Sequence, residues 1–251
     1  MRRLAILFVT LAALLLFQTK AFAVVDVEAR YWFTNIDGEA TATSGAVIGT
    51  NVNFVDDLGM EENKGFVEGR ITFELGGHKV RYGYMPMTWD GTRTITQSIS
   101  FAGQTFSAST SVDTEVEINL HRLGYEYDFI DFANNKIGAI IEMKYIDAQI
   151  NLKDSALGLD ETESLDIPIP TIGVAASVGL PFLVEVSGEV TGLTLGSQAY
   201  LIDGEVAVNF KPAPFVVLAA GYRYMDFHVE KNDNQVDIRL QGPFITLKAD
   251  F

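Results

Sequence analysis

The last sixteen residues, Val236 to Phe251, read VDIRLQGPFITLKADF and suit one regular backbone. Apolar side chains occupy every second position. Val236, Ile238 and Leu240 share one parity, and Ile245, Leu247, Ala249 and Phe251 the other, with the change at Gly242 and Pro243. A period of two is the mark of a strand with one apolar face. The same period recurs along most of the chain, and no later run is long enough for a spanning helix, the longest being Phe215 to Gly221.

The amino terminus is different. Arg2 and Arg3 precede a 14-residue apolar run, Leu4 to Phe17, broken only by Thr10, and Ala21-Phe22-Ala23 follows. That is the order of a secretory signal peptide with an A-x-A cleavage site, so residues 1–23 are expected to be removed and 24–251 to form one β domain. No cysteine is present, so disulfides and a lipid anchor on the first mature residue are excluded. Residues 24–251 hold 15 basic and 33 acidic side chains, a formal charge of −18, which argues against nucleic acid as a partner.

Ten alternating segments can be counted. They begin with Val25, Val27, Ala29, Tyr31 and Phe33 and continue through a hairpin at Gly76-Gly77 to the terminal strand. Connections alternate between long polar ones and short ones. Residues 88–114, with 12 Ser or Thr, are expected to form a hairpin standing above the barrel in water. Aromatic residues gather at both strand ends: Tyr31, Phe33, Tyr145, Tyr200, Tyr222 and Tyr224 on the loop side, and Phe129, Phe182, Phe210, Phe215 and Phe251 on the turn side. In lipid, strands survive only when closed on themselves. The expected fold is therefore all-β, a transmembrane antiparallel up-and-down β-barrel of ten strands, with short periplasmic turns and long outer loops. The alternative is a soluble barrel of the lipocalin kind, with the apolar face turned inward.

A terminal aromatic residue with apolar side chains two, four and six positions before it resembles the assembly signal of Gram-negative outer-membrane β-barrels. That resemblance assigns the signal to Leu247, Ala249 and Phe251 and implies location in the cell outer membrane. It also implies lipopolysaccharide and outer-membrane lipid as surroundings, and the barrel-assembly machinery as a partner during biogenesis.

With the apolar stripe facing lipid, the ionisable stripe faces the lumen. It comprises Glu28, Glu68, Glu115, Glu117, Glu142, Glu185, Glu189 and Glu205 with Arg30, Arg70, Arg81, Lys144, Arg223 and Arg239, and His121 beside Glu117. Such groups must pair or stay wet. One reading is a charge network that fills and stiffens the barrel; another is a narrow path whose acidic surplus favours cations.

Asp226 and His228 form an Asp-x-His pair, where a carboxylate can orient an imidazole as general base. It resembles the Asp-His half of the omptins, ten-stranded surface proteases, but the second acidic pair would have to be Asp56 and Asp57, which are adjacent. His78 and His121 lack a serine partner that would mark an acyl-chain enzyme. The acidic loops, with Asp56, Asp57, Glu61 and Glu62 in one and Asp154, Asp160, Glu161, Glu163 and Asp166 in another, could attract divalent cations without a calcium-loop spacing. No cofactor or metal motif is present. The expectation is a non-enzymatic outer-membrane barrel serving envelope structure, surface contact or slow solute passage, with an omptin-like protease as the alternative.

Overall fold

The computed structural model describes residues 24–41, 50–196, 198–231 and 234–251; the expected signal peptide lies outside the described residues. The strands in chain order are β1 (Val24–Thr41), β2 (Val52–Asn53), β3 (Asn63–Leu75), β4 (His78–Thr94), β5 (Ile99–Phe101), β6 (Gln104–Phe106), β7 (Ser111–Phe132), β8 (Asn135–Asp154), β9 (Leu159–Leu180), β10 (Val184–Thr194), β11 (Ala199–Ala213), β12 (Val216–Lys231) and β13 (Asn234–Asp250). All but β2, β5 and β6 pair antiparallel around one wall, and β13 pairs back onto β1 to close it. The ten-stranded up-and-down barrel is the one expected. Its turns use residues in the left-handed region, Gly76 (φ 61°) in one and Ala133 and Asn134 (φ 50° and 68°) in another.

Stepping through register partners from Val25 by way of Phe73, Val80, Tyr125, Ile141, Ile172, Gly192, Ile202, Asp226 and Arg239 arrives at Asp37, twelve residues up the starting strand. Such a stagger goes with strands tilted by about 35–45°, so each step to the next strand climbs by about 1.2 residues. Residues at one height are therefore not register partners.

Through the periplasmic part of the wall the exterior is apolar. Val27, Phe73, Val80, Ile141, Val174, Val208, Leu218 and Leu247 all point outward and are exposed. Exposed rings bound this belt, Tyr31, Phe33, Tyr84, Tyr145 and Tyr222 above and Phe129, Phe182, Phe210, Phe215 and Phe251 below. These are the aromatic girdles of a lipid-facing surface.

Above the belt the wall continues and its polarity inverts. On β7 the outward residues are Asp113, Glu115, Glu117 and Asn119 in the upper half, then Leu123, Tyr125, Tyr127 and Phe129 below. The inward residues are Val112, Val116, Ile118 and Leu120, then Arg122, Glu126 and Asp128. Register runs unbroken through the switch. What changes is the medium outside: lipid below drives polar groups inward, and water above drives apolar groups inward. The terminal strand behaves alike. Leu240, Phe244 and Thr246 are all buried, so the alternation does not slip at Gly242 and Pro243. The parity change in the sequence marks the membrane surface. Gly242 is needed there for close approach, since a Cβ would lie 1.8 Å from the carbonyl oxygen of Phe33; its own carbonyl accepts the Trp32 indole N–H at 3.1 Å.

The outer loops fold down into this upper core. Phe54, Leu58 and Met60 are buried, and so are Ile95, Ile99, Phe101 and Phe106 around the β5–β6 hairpin. The expectation that residues 88–114 stand free in water is thus corrected: their apolar side chains cap the barrel. Gly91 admits the first loop, because a Cβ would meet the Leu58 carbonyl oxygen at 2.6 Å.

Candidate functional site

A layer of paired charges crosses the lumen in the outer part of the membrane span. Arg223 grips Asp203 with two hydrogen bonds of 2.9 Å and reaches Glu68 at 3.1 Å. Arg30 makes a second fork with Glu205, at 2.6 and 2.9 Å. Arg70 joins Glu68 at 2.7 Å to Glu205 at 3.0 Å. Arg81 and Arg122 both donate to Glu189, at 2.5 and 3.0 Å, and Lys144 donates to Glu142 and to Thr191 at 2.7 Å. Glu68, Lys144 and Arg223 are fully buried. With Glu28, 3.1 Å from Arg30, the layer holds six cations against six anions. The expected acidic surplus is therefore absent from this layer. Forked, charge-assisted bonds of this kind fix geometry as well as charge.

Several expected lumen residues are elsewhere. Glu115 and Glu117 are exposed on the outer face above the belt, and Arg239 is on the outer face with Asp226 at 3.6 Å and Asp37 at 3.7 Å. His121 lies in the upper girdle, its Nδ1 2.8 Å from the Tyr82 hydroxyl and its ring against Tyr84. In each case the rule that ionisable means inward fails because the position is above the lipid. Glu185 does face the lumen, 3.6 Å from Lys211 near the periplasmic end. Arg122, Glu126 and Asp128 are lumen residues that reasoning from sequence missed, though the switch of apolar parity within β7 marked them.

Asp226 and His228 are on the outward parity of β12, whose inward residues Met225 and Phe227 are buried. Asp226 accepts hydrogen bonds from Tyr224 at 2.8 Å and Tyr200 at 3.4 Å, while His228 pairs with Asp237 of β13 at 2.5 Å. Asp57 accepts the backbone N–H of Asn53 and Asp154 those of Ala156 and Leu157, so each carboxylate closes its own turn. Among the described residues no three acidic or imidazole groups converge as a metal site would require.

Two cavities flank the charged layer. Below it a polar vestibule of about 360 Å³ faces the periplasmic end, with Lys79, Glu126, Asp128 and Lys248 in its wall. Above it a chamber of about 430 Å³ is lined by Met87, Val116, Ile118, Ile146, Ala148, Ile150, Leu152, Phe227, Ile238 and Leu240, and roofed by Phe54, Leu58 and Phe101. Two buried rings lie against arginines of the charge layer: Arg223 is 4.8 Å from the Trp32 ring and Arg30 3.9 Å from that of Phe244, which lines the vestibule. A concave apolar chamber with few polar groups is the form small-molecule sites take.

The closed wall, its lipid-facing belt and its two girdles define an integral β-barrel of the cell outer membrane. The barrel is similar to the outer membrane protease OmpT from Escherichia coli, with a TM-score of 0.63 at 10% identity, covering 91% of this chain and 97% of that one. At that identity the likeness concerns the fold. Much weaker superpositions join it to Ail, the attachment invasion locus protein of Yersinia pestis (TM-score 0.36, 10% identity, 89% and 98% covered), and to the translocator domain of the autotransporter NalP from Neisseria meningitidis (0.39, 11%, 96% and 92%). No protein-family model and no curated protein matches the chain.

Proposed function

We propose that this protein is a non-enzymatic outer-membrane barrel that takes up an elongated apolar molecule in its extracellular half. The observation that carries the reading is the apolar chamber above a charge-balanced floor of ion pairs. Burying an apolar ligand there would contribute about 25 cal/mol per Å² removed from water. Solute passage has less in its favour, because a permeant would have to break several forked ion pairs held out of water. A protease reading draws on the fold likeness to OmpT, but Asp226 and His228 are turned away from the chamber and bonded to other partners.

The test is fluorescence titration of the refolded full chain in detergent with N-phenyl-1-naphthylamine, a small apolar dye. Saturable enhancement is expected, reduced at least tenfold by Ala148→Trp, which fills the chamber from one wall. Absence of saturable binding, or binding indifferent to Ala148→Trp, would remove the reading.

A further inference from the structure

We infer that the chamber's occupant is the acyl chain of an outer-leaflet lipid, entering sideways through a window above the tip of the β10–β11 hairpin, along the upper edge of β9. This rests on the chamber reading above and names its ligand and its door. β10 pairs with β9 from Leu180 only as far as Ile172. β9 then continues for thirteen residues, up to Leu159, with β8 along one side and, among the described residues, no strand along the other.

The window's sill lies at the membrane surface. With the barrel's stagger allowed for, Thr194 at the end of β10 stands close to the height of Tyr145 in the upper girdle, Ala199 on β11 stands about four residues above Tyr224, and β8, β9, β12 and β13 rise further. The tip of the hairpin presents an exposed leucine, Leu195. A sill of this kind offers a chain already in the leaflet a short apolar step, with no passage through bulk water.

The open edge is also chemically prepared for lipid. An unpaired strand edge exposes N–H groups that hydrocarbon cannot satisfy. The lowest part of this edge carries Pro168 and Pro170, opposite Tyr145 and Met143 of an unbroken β8–β9 ladder. Proline is tolerated in a strand where its nitrogen faces away from the ladder, so both nitrogens point into the window and neither has a hydrogen to leave unpaired. Two donors are thus removed at the depth where water is scarce, and further up, in water, the edge returns to ordinary residues. The same prolines would obstruct pairing with a longer β10, which keeps the window open.

Route and lining agree. The roof of Phe54, Leu58 and Phe101 is buried over the top of the chamber, whereas Leu165 lines both the chamber and the open edge. Among the described residues the lining holds no cation and a single acid, Glu163, so it suits a hydrocarbon chain and leaves a phosphate or sugar headgroup outside. A free fatty acid would bring its carboxylate toward that acid; a lipid entering chain first would not.

The test uses the refolded full chain in phosphatidylcholine vesicles doped with a phosphatidylcholine whose acyl chain carries a diazirine, followed by irradiation and peptide mass spectrometry. Adducts are expected on the inward residues Leu165, Ile167 and Phe227 as well as on the belt, and N-phenyl-1-naphthylamine should suppress the inward set. Adducts confined to belt residues such as Ile172 and Val174, in a sample whose chamber still binds the dye, would overturn lateral entry and leave the chamber reading standing. Neither inward adducts nor dye binding would overturn both.

Discussion

The half of the wall in lipid and the half above it are built from the same strands with opposite rules. Below the upper girdle Leu123 and Tyr125 face out while Arg122 and Glu126 face in; above it Glu115 and Glu117 face out while Val116 and Ile118 face in. Strand geometry is continuous across the boundary, so the difference comes from the solvent on the outer face. Each half solves its interior by the means left to it. The membrane half spends its apolar residues on lipid and packs its centre with ion pairs, whereas the upper half buries apolar residues and leaves a chamber among them.

The ion-paired floor is where a single substitution should cost most. Arg223→Met strips Glu68 and Asp203 of a shared partner in a fully buried place, and loss of about 3–5 kcal/mol is expected, as for other broken buried pairs. Equilibrium urea unfolding in vesicles measures it, and a change below about 1 kcal/mol would mean that the ion pairs do not hold the centre together. A matched pair of substitutions then sharpens the contrast on the exterior. Ile141→Arg in mid-belt should cost about 2–4 kcal/mol, against a few tenths for Glu117→Arg above the belt. Equal costs in the same unfolding assay would erase the boundary. The smallest effect is expected at His228→Ala, which removes a partly exposed pair with Asp237 worth about 0–1 kcal/mol. Any peptide cleavage by the wild type should persist in that variant, and its disappearance would restore the protease reading.

Much of the fold was legible in the sequence. Alternation over ten segments, Gly76-Gly77 and the girdle aromatics sufficed for strand number, order and closure, because periodicity reports directly on a wall with two media. The candidate site was less legible. Glu28, Arg30, Glu68, Arg70, Arg81, Glu142, Lys144, Glu185, Glu189, Glu205 and Arg223 fell where charge seeks the lumen, but Glu115, Glu117, His121 and Arg239 were assigned by the same rule to the wrong face. Period two tells which residues share a side and is silent on which side is wet. The missing information was nonetheless written in the chain: Tyr84 to Met85, Leu120 to Leu123, Tyr145 to Ile146 and Tyr224 to Met225 each carry the apolar pattern from one parity to the other, as at Gly242 and Pro243. The window could not be read this way. It depends on β10 stopping at Thr194 while β9 runs on to Leu159, a difference of register that appears only once the strands are paired.

The most direct test of the inverted wall is a spin-label scan along β7. Single cysteines carrying a nitroxide are placed in turn at Asp113, Glu115, Glu117, Leu123, Tyr125 and Tyr127, and relaxation by oxygen, concentrated in lipid, is compared with relaxation by a water-soluble nickel chelate. The account predicts that the chelate dominates at the first three sites and oxygen at the last three, with the crossover near His121. Shielding of Glu115 and Glu117 from both reagents, as lumen residues would show, or oxygen dominance at all six sites, would contradict it.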